Sequence, residues 1–398
     1  MAKKNLIRAA SFIILSTLVL FMTGCGSSSD NNNNSVPLSI IFSIPSEKGK
    51  AVMGKAAPQF IASISIYISA ADIPVPISDT FNVVPGTRVT KNYFVPPGLA
   101  RLFSVSAYGD KAGTGFLIYE GSARADLSEG ENPPLTIILS EAPYTGKFVD
   151  VNRGSDLTGE GSPVNPFKTI TFALTTSTGN ESINVAAGFY NSTTETFPLQ
   201  LKTGTELICY GTAYSTVIDL QLGAGTGISG APNASVNGCK ITNSGAAAIE
   251  DAGVQTTINN NIITNNCDGI ITTGDSIITN NTIERSYLGE CTGAAISSFS
   301  FTAPNSPIIS GNKITDNYIG IYLFGSLPKI NSNIISCNTY SDLQNNSAST
   351  IDATNNRWDN VPPKVTPSTC SGSGQDICGA GGSLVNYSGA ALAPSPCP

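Results

Sequence analysis

A chain of 398 residues with 21 basic and 28 acidic side chains carries a formal charge of −7 and contains no histidine. The acidic balance argues against nucleic acid, whose binding needs clustered Lys and Arg. The missing imidazole excludes Ser-His-Asp and Cys-His nucleophile systems and every His-containing zinc site, leaving Asp, Glu, Lys, Tyr or Cys for any acid–base chemistry.

Lys3, Lys4 and Arg8 form a basic n-region, and the apolar run from Ser11 to Met22 has the length of a secretory h-region, too short to span a bilayer. It ends in "MTGC", which resembles the bacterial lipobox with Met22 in place of the usual Leu. That resemblance implies a signal peptide over 1–24, cleavage before Cys25 and diacylation of its sulfur, hence a membrane partner reached through lipid. The alternative is an ordinary secretory peptide with a chance Cys. Residues 25–36, "CGSSSDNNNNSV", read as a flexible tether, and Gly26 rather than Asp after the Cys implies the outer membrane by the same resemblance. Cleavage leaves 18 basic against 28 acidic residues, a balance of −10, which also argues against an acidic polysaccharide held by charge alone. Eight further Cys fit disulfides in an exported chain, Cys370 with Cys378 being the easiest pair to defend, although the others could equally be buried apolar residues.

From 37 to 142 short apolar runs alternate at period two between Pro and Gly signals such as "VVPG", "VPPG" and "EGENPP". The pattern predicts an antiparallel β-sandwich. It resembles the immunoglobulin-like modules of exported bacterial proteins in architecture only, since it lacks their Cys pair and Trp.

The pattern changes at 144. Residues 147–211 contain a Gly/Asp-rich loop, "PFKTITFAL", then "INVAAGFY" and "FPLQLKTG". This segment resembles the opening of bacterial right-handed parallel β-helix proteins with the pectin-lyase-like fold, including a family of unknown function. The resemblance implies an all-β solenoid over 144–362 whose open end needs a cap. Pro166 is expected to start the capping helix, with Ile170 and Leu174 on its buried face. The loop "DVNRGSDLTGEGS" lacks alternating calcium-ligand spacing, so no metal and no cofactor is assigned.

The solenoid period is visible in the second half. Cys239, Asn261, Asn281, Asn312, Asn333 and Asn356 recur at intervals of 22, 20, 31, 21 and 23 residues, predicting coils of about 20–23 residues. Two residues after each stands Ile241, Ile263, Ile283, Ile314, Ile335 or Trp358, an inward column; positions one and three beyond, such as Ile262, Thr282, Thr242, Thr264 and Ser336, are expected to face outward. The Asn column is read as scaffold, tolerating left-handed turn angles and bonding from coil to coil. Trp358 is read as a plug near the C-terminal end, with 363–398 an irregular tail.

The pectin-lyase-like resemblance implies polysaccharide lyase or glycoside hydrolase activity as one reading, but the hydrolase branch's "NTD", "DD" and "HG" motifs are absent and catalytic residues are unknown. The other reading is a non-catalytic envelope protein presenting its β-surface to a polysaccharide or a cell-surface protein. The 31-residue interval adds about nine residues to one coil, within 286–307, where Tyr287, Phe299 and Phe301 stand in an otherwise polar outer surface. Either these rings are exposed as a stacking platform, or Phe299 and Phe301 point inward over a widened core with Cys291 buried or bonded to Cys267. Lys313 and Arg357 occupy equivalent outward positions two coils apart, about 10 Å at roughly 4.8 Å per coil, and form a sparse glycan-binding row or solvated surface.

Overall fold

The computed structural model describes residues 35–43, 61–84, 88–113, 115–211, 215–223, 225–252, 255–287, 291, 293–301, 304–367, 370 and 374–394. The expected signal peptide, Cys25 and most of the expected tether lie outside these residues.

Alternating apolar residues build the N-terminal unit. One sheet orders Arg88–Val95, Val36–Ser43 and Leu135–Ile138; the other orders Ile77–Asn82, Ser63–Ser69, Gly98–Tyr108, Leu117–Leu127 and Ser140–Glu141. Every pairing is antiparallel except Val36–Ser43 with Leu135–Ile138, which run parallel. Leu38, Ile40 and Phe42 face Ile64, Ile66, Phe103 and Val105 in one buried cluster, as period two requires. That cluster extends into the solenoid, where Phe116 meets the edges of Phe148 and Tyr210 at 4.7 and 5.1 Å between ring centroids.

From Lys147 onward the chain winds through three long parallel sheets of ten, nine and eight strands, each coil adding one short strand to each sheet. This is a parallel β-helix. Its entry is closed by α1, Ile170–Thr176, which buries Ile170, Ala173 and Leu174. Pro166 does not start this helix. Phe167 still bridges to Val149 as extended chain, and the N-cap is Thr169, whose hydroxyl accepts from Phe172 N. The remaining first-turn donors go to Glu195, which accepts from Ile170 N at 2.9 Å and Thr171 N at 2.8 Å. The carboxylates of the loop before it serve backbone too. Asp150 accepts from Asn152 N and Arg153 N, and Asp156 from Lys168 N and Thr169 N.

The Asn column is a hydrogen-bonded ladder. Oδ1 of Asn281, Asn312, Asn333 and Asn356 each accepts two bonds from the Asn of the preceding coil, from its backbone N at 2.9 Å and its Nδ2 at 3.0 Å. The same Nδ2 groups donate to carbonyls one coil back: Asn261 to Val236, Asn281 to Ile258, Asn312 to Ile278, Asn333 to Ile309 and Asn356 to Ile330. The left-handed angle falls one residue earlier than the sequence suggests. Asn260, Asn280, Gly311, Ser332 and Asn355 hold positive φ, and the ladder Asn that follows is buried instead. A second ladder joins Asn317 to Asn338 at the next corner.

Ile241, Ile263, Ile283, Ile314, Ile335 and Trp358 are all fully buried, the inward column. Of the positions expected outside, Thr282 is half-buried, but Thr242, Thr264, Ser336 and Ile262 are buried. Parallel stacking explains this: Thr242, Thr264, Glu284, Thr315 and Ser336 lie in one register column, so each small side chain is covered by its neighbours one coil away. The segment expected to be an irregular tail is also ordered into coils. Gln375–Cys378, Val385–Asn386 and Ala391–Leu392 extend the eight-, ten- and nine-stranded sheets, burying Ile377 and Val385. Trp358 is therefore an internal rung, with Leu392 stacked beyond it, and does not plug the end. Disulfides join Cys209 to Cys239, Cys267 to Cys291 and Cys370 to Cys378.

Ile283→Asp is expected to abolish folding, because it buries a carboxylate without a counter-charge at a cost of several kcal/mol. Thr282→Asp, one residue away, should shift the melting temperature little. Equal melting temperatures for the two variants, measured by circular dichroism, would show that the inward register is wrong.

Candidate functional site

The long coil builds a groove on the outer face of the eight-stranded sheet. Its strand Ala294–Phe299 lies beside Ile319–Phe324, with Ile296 opposite Ile321, Ser297 opposite Tyr322 and Phe299 opposite Phe324. Ile296, Ser298, Ile321 and Leu323 are buried, so by alternation Ser297, Phe299, Tyr322 and Phe324 project to the other face. Phe301, just past the strand, stacks on Phe299 at 6.1 Å with 5° between the rings. Phe299 meets Tyr322 at 5.6 Å, and Phe301 meets Phe324 at 6.1 Å. Phe301 is 76% exposed and Phe324 44%, which leaves a continuous aromatic surface open to solvent.

Phe299 and Tyr322, but not Phe301 or Phe324, border a cavity of about 350 Å³ whose lining also includes Asp268, Ser297 and Cys267. The Cys267–Cys291 disulfide ties the start of the long coil's extra residues to the cavity wall. Asp268 Oδ1 accepts from Ala294 N at 2.9 Å. Burial pushes the Asp268 carboxyl above its ordinary range, opposed by that hydrogen bond. Beside Ile319, another lining residue, Tyr318 stacks on Tyr340 at 5.1 Å and 9°.

The structure separates the residues that the sequence suggested. Phe299 and Phe301 come together as an outward platform, yet the Cys267–Cys291 bond expected of the inward arrangement is present as well. Tyr287 lies at another corner, its hydroxyl 3.5 Å from Asp316 Oδ1 beside the Arg285–Asp316 ion pair. Lys313 and Arg357 are exposed in one outward column of the nine-stranded sheet with Ile334 between them, so they belong to a different face from the groove. Sequence reasoning missed Tyr322, Phe324 and Asp268. The first two stand at alternate positions of "IGIYLF", but only pairing between coils brings them beside Phe299 and Phe301. Nothing local marks Asp268.

The sequence family described as "Protein of unknown function (DUF1565)" matches residues 152–365. No curated protein matches the chain significantly. Solved structures similar to it include a family 28 exopolygalacturonase of Yersinia enterocolitica, 11% identical with a TM-score of 0.30 over 75% of this chain and 76% of that one. Another is the catalytic domain of a GH87 α-1,3-glucanase, 13% identical with a TM-score of 0.25 over 80% of this chain and 77% of that one. Likeness at that level says nothing about the chemistry of the groove.

Asp268 makes stability depend on pH. A raised folded pKa means that the folded state holds the proton more tightly than the unfolded state. Its contribution is fully present below the ordinary carboxylate range near about 4 and is lost as pH rises through the raised folded value. Asp268→Asn keeps an acceptor for Ala294 N and cannot ionise. Its melting temperature relative to the parent should rise as pH increases across that window, and parallel curves would contradict the assignment.

Proposed function

We propose, for a chain that belongs to the DUF1565 family of unknown function, a non-catalytic envelope protein whose β-helix presents the Phe299–Phe301–Tyr322–Phe324 surface to a neutral glycan. The observation that carries this reading is the aromatic quartet itself, with rings 5.6 to 6.1 Å apart and two of them widely open on an otherwise polar β-face. Apolar sugar faces stack on such rings, while hydroxyls need polar partners at the rim, which Asp268 and Ser297 supply. The excess of acidic residues favours an uncharged chain over a polyanion.

An enzyme acting on polysaccharide is the other reading. Hydrolysis of a glycosidic bond uses two carboxyl groups about 5 to 9.5 Å apart. Among the described residues lining the cavity, Asp268 is the one carboxyl group, and the basic residues Lys313 and Arg357 lie on another sheet. Support for binding without turnover is therefore stronger. A lipid on Cys25, through "MTGC" and the polar tether, would hold the protein at the outer membrane and turn the solenoid toward glycan or a cell-surface protein.

Phe301→Ala combined with Phe324→Ala should weaken binding to neutral polysaccharides roughly tenfold per ring in affinity electrophoresis, with an unchanged melting temperature. Undiminished binding would remove the groove as the site, and release of reducing or unsaturated ends by the parent protein would favour the enzyme. Separately, Cys25→Ala should move the protein from the membrane fraction to the soluble one; a variant still membrane-bound in detergent-free extracts would count against the anchor.

A further inference from the structure

The last coils gather three carboxyl groups away from the groove. Asp342 lies on Ser341–Asn345, Asp376 on the neighbouring strand Gln375–Cys378, and Asp359 directly after Arg357–Trp358. One oxygen of each lies within 4.8 Å of those of the other two. The segment after Asp359 folds over them. Val365 bridges to Ile377, Lys364 N donates to Asp376 Oδ2 at 2.5 Å, and Asn360 Nδ2 reaches the same oxygen at 3.0 Å. Asn338 Nδ2, the end of the second ladder, donates to Asp342 Oδ1 at 2.7 Å, and Cys337 N to Asp359 Oδ2 at 2.9 Å.

Those bonds account for one oxygen each of Asp342 and Asp376. The other two, Asp342 Oδ2 and Asp376 Oδ1, are buried and accept from no N–H or hydroxyl donor, on residues each 1% exposed, and the two carboxyl groups lie close enough for only a shared proton or a cation to hold them together. Among the described residues no Lys or Arg is ion-paired with Asp342 or Asp376. Buried carboxylates without a counter-charge are costly, and here the backbone and amide donors orient them toward one another.

We propose that Asp342, Asp359 and Asp376 bind a divalent cation that clips the final coils to the segment folded over them. All three donors are carboxylate oxygens, which suit hard cations and not zinc or copper. They come from three separate stretches of chain and have irregular surroundings, which suits the flexible coordination of Ca²⁺ better than the strict octahedron of Mg²⁺. The ion would supply the positive charge that no described side chain brings to Asp342 or Asp376. Sequence spacing could not reveal this, because the three residues stand 17 positions apart at each step and only consecutive coils bring them together.

The test uses the full exported chain, stripped with EDTA and titrated with CaCl₂ or MgCl₂ at constant ionic strength. Calorimetry should find one Ca²⁺ site. The melting temperature should rise by roughly 5–10 °C at about a hundred times the Kd, and EDTA should reverse the rise. Asp359→Asn, at the half-buried position where an amide fits best, should fold and lose that rise. The proposal is overturned if the parent shows neither heat nor a melting shift, or if Asp359→Asn responds like the parent. An equal response to Mg²⁺ overturns the calcium assignment. Should Asp359→Asn fail to fold, the parent's calorimetric titration decides alone.

Discussion

A single buried amide oxygen that accepts two hydrogen bonds from the coil before it governs this solenoid. Oδ1 of Asn281, Asn312, Asn333 and Asn356 each takes the backbone N–H and the side-chain Nδ2–H of the preceding Asn, on side chains no more than 1% exposed. At such a corner the backbone leaves one strand for the next and would otherwise orphan an N–H, a loss of about 1–3 kcal/mol per buried group. Repetition fixes the corner in the coils from Asn261 to Asn356, so the residue two positions later, Ile263 to Trp358, arrives inside each time. Strand register in a solenoid leaves little room for error, since a slip of one residue exchanges core and surface.

A scaffold held at its corners tolerates extra residues elsewhere. The coil between Asn281 and Asn312 carries the insertion that supplies Phe299 and Phe301, yet its strands still pair in register with Ile270 before and Ile321 after. The segment following Trp358 likewise leaves the stack and returns at Gln375, burying Asp342 and Asp376 on the way. Both departures gather side chains that the regular coils leave apart: rings in one case, carboxylates in the other. The regular coils are set by the Asn and Ile columns, while the two departures gather the side chains on which the proposed glycan and cation sites rest.

Much of the fold was legible because it repeats. Ile263, Ile283, Ile314 and Ile335 stand two residues after an Asn, and their burial follows from the period alone. The doublets Asn260–Asn261 and Asn280–Asn281 concealed which member makes the turn. Gly311–Asn312 and Ser332–Asn333 resolve it, because there the left-handed residue is Gly or Ser and the Asn is the rung. The closing coils were not legible, since strands of two to four residues such as Val385–Asn386 are too short to display a period. Of the groove, interval length exposed Phe299 and Phe301. Tyr322, Phe324 and Asp268 join them only through pairing between coils, which no local pattern records.

Whether the groove holds a glycan without cleaving it is decided most directly by a crystal structure grown with a neutral oligosaccharide. The expected result is an intact chain with sugar faces packed against Phe301 and Phe324 and a hydroxyl toward Asp268. Sugar bound instead over the nine-stranded sheet beside Lys313 and Arg357, or found cleaved, would contradict it.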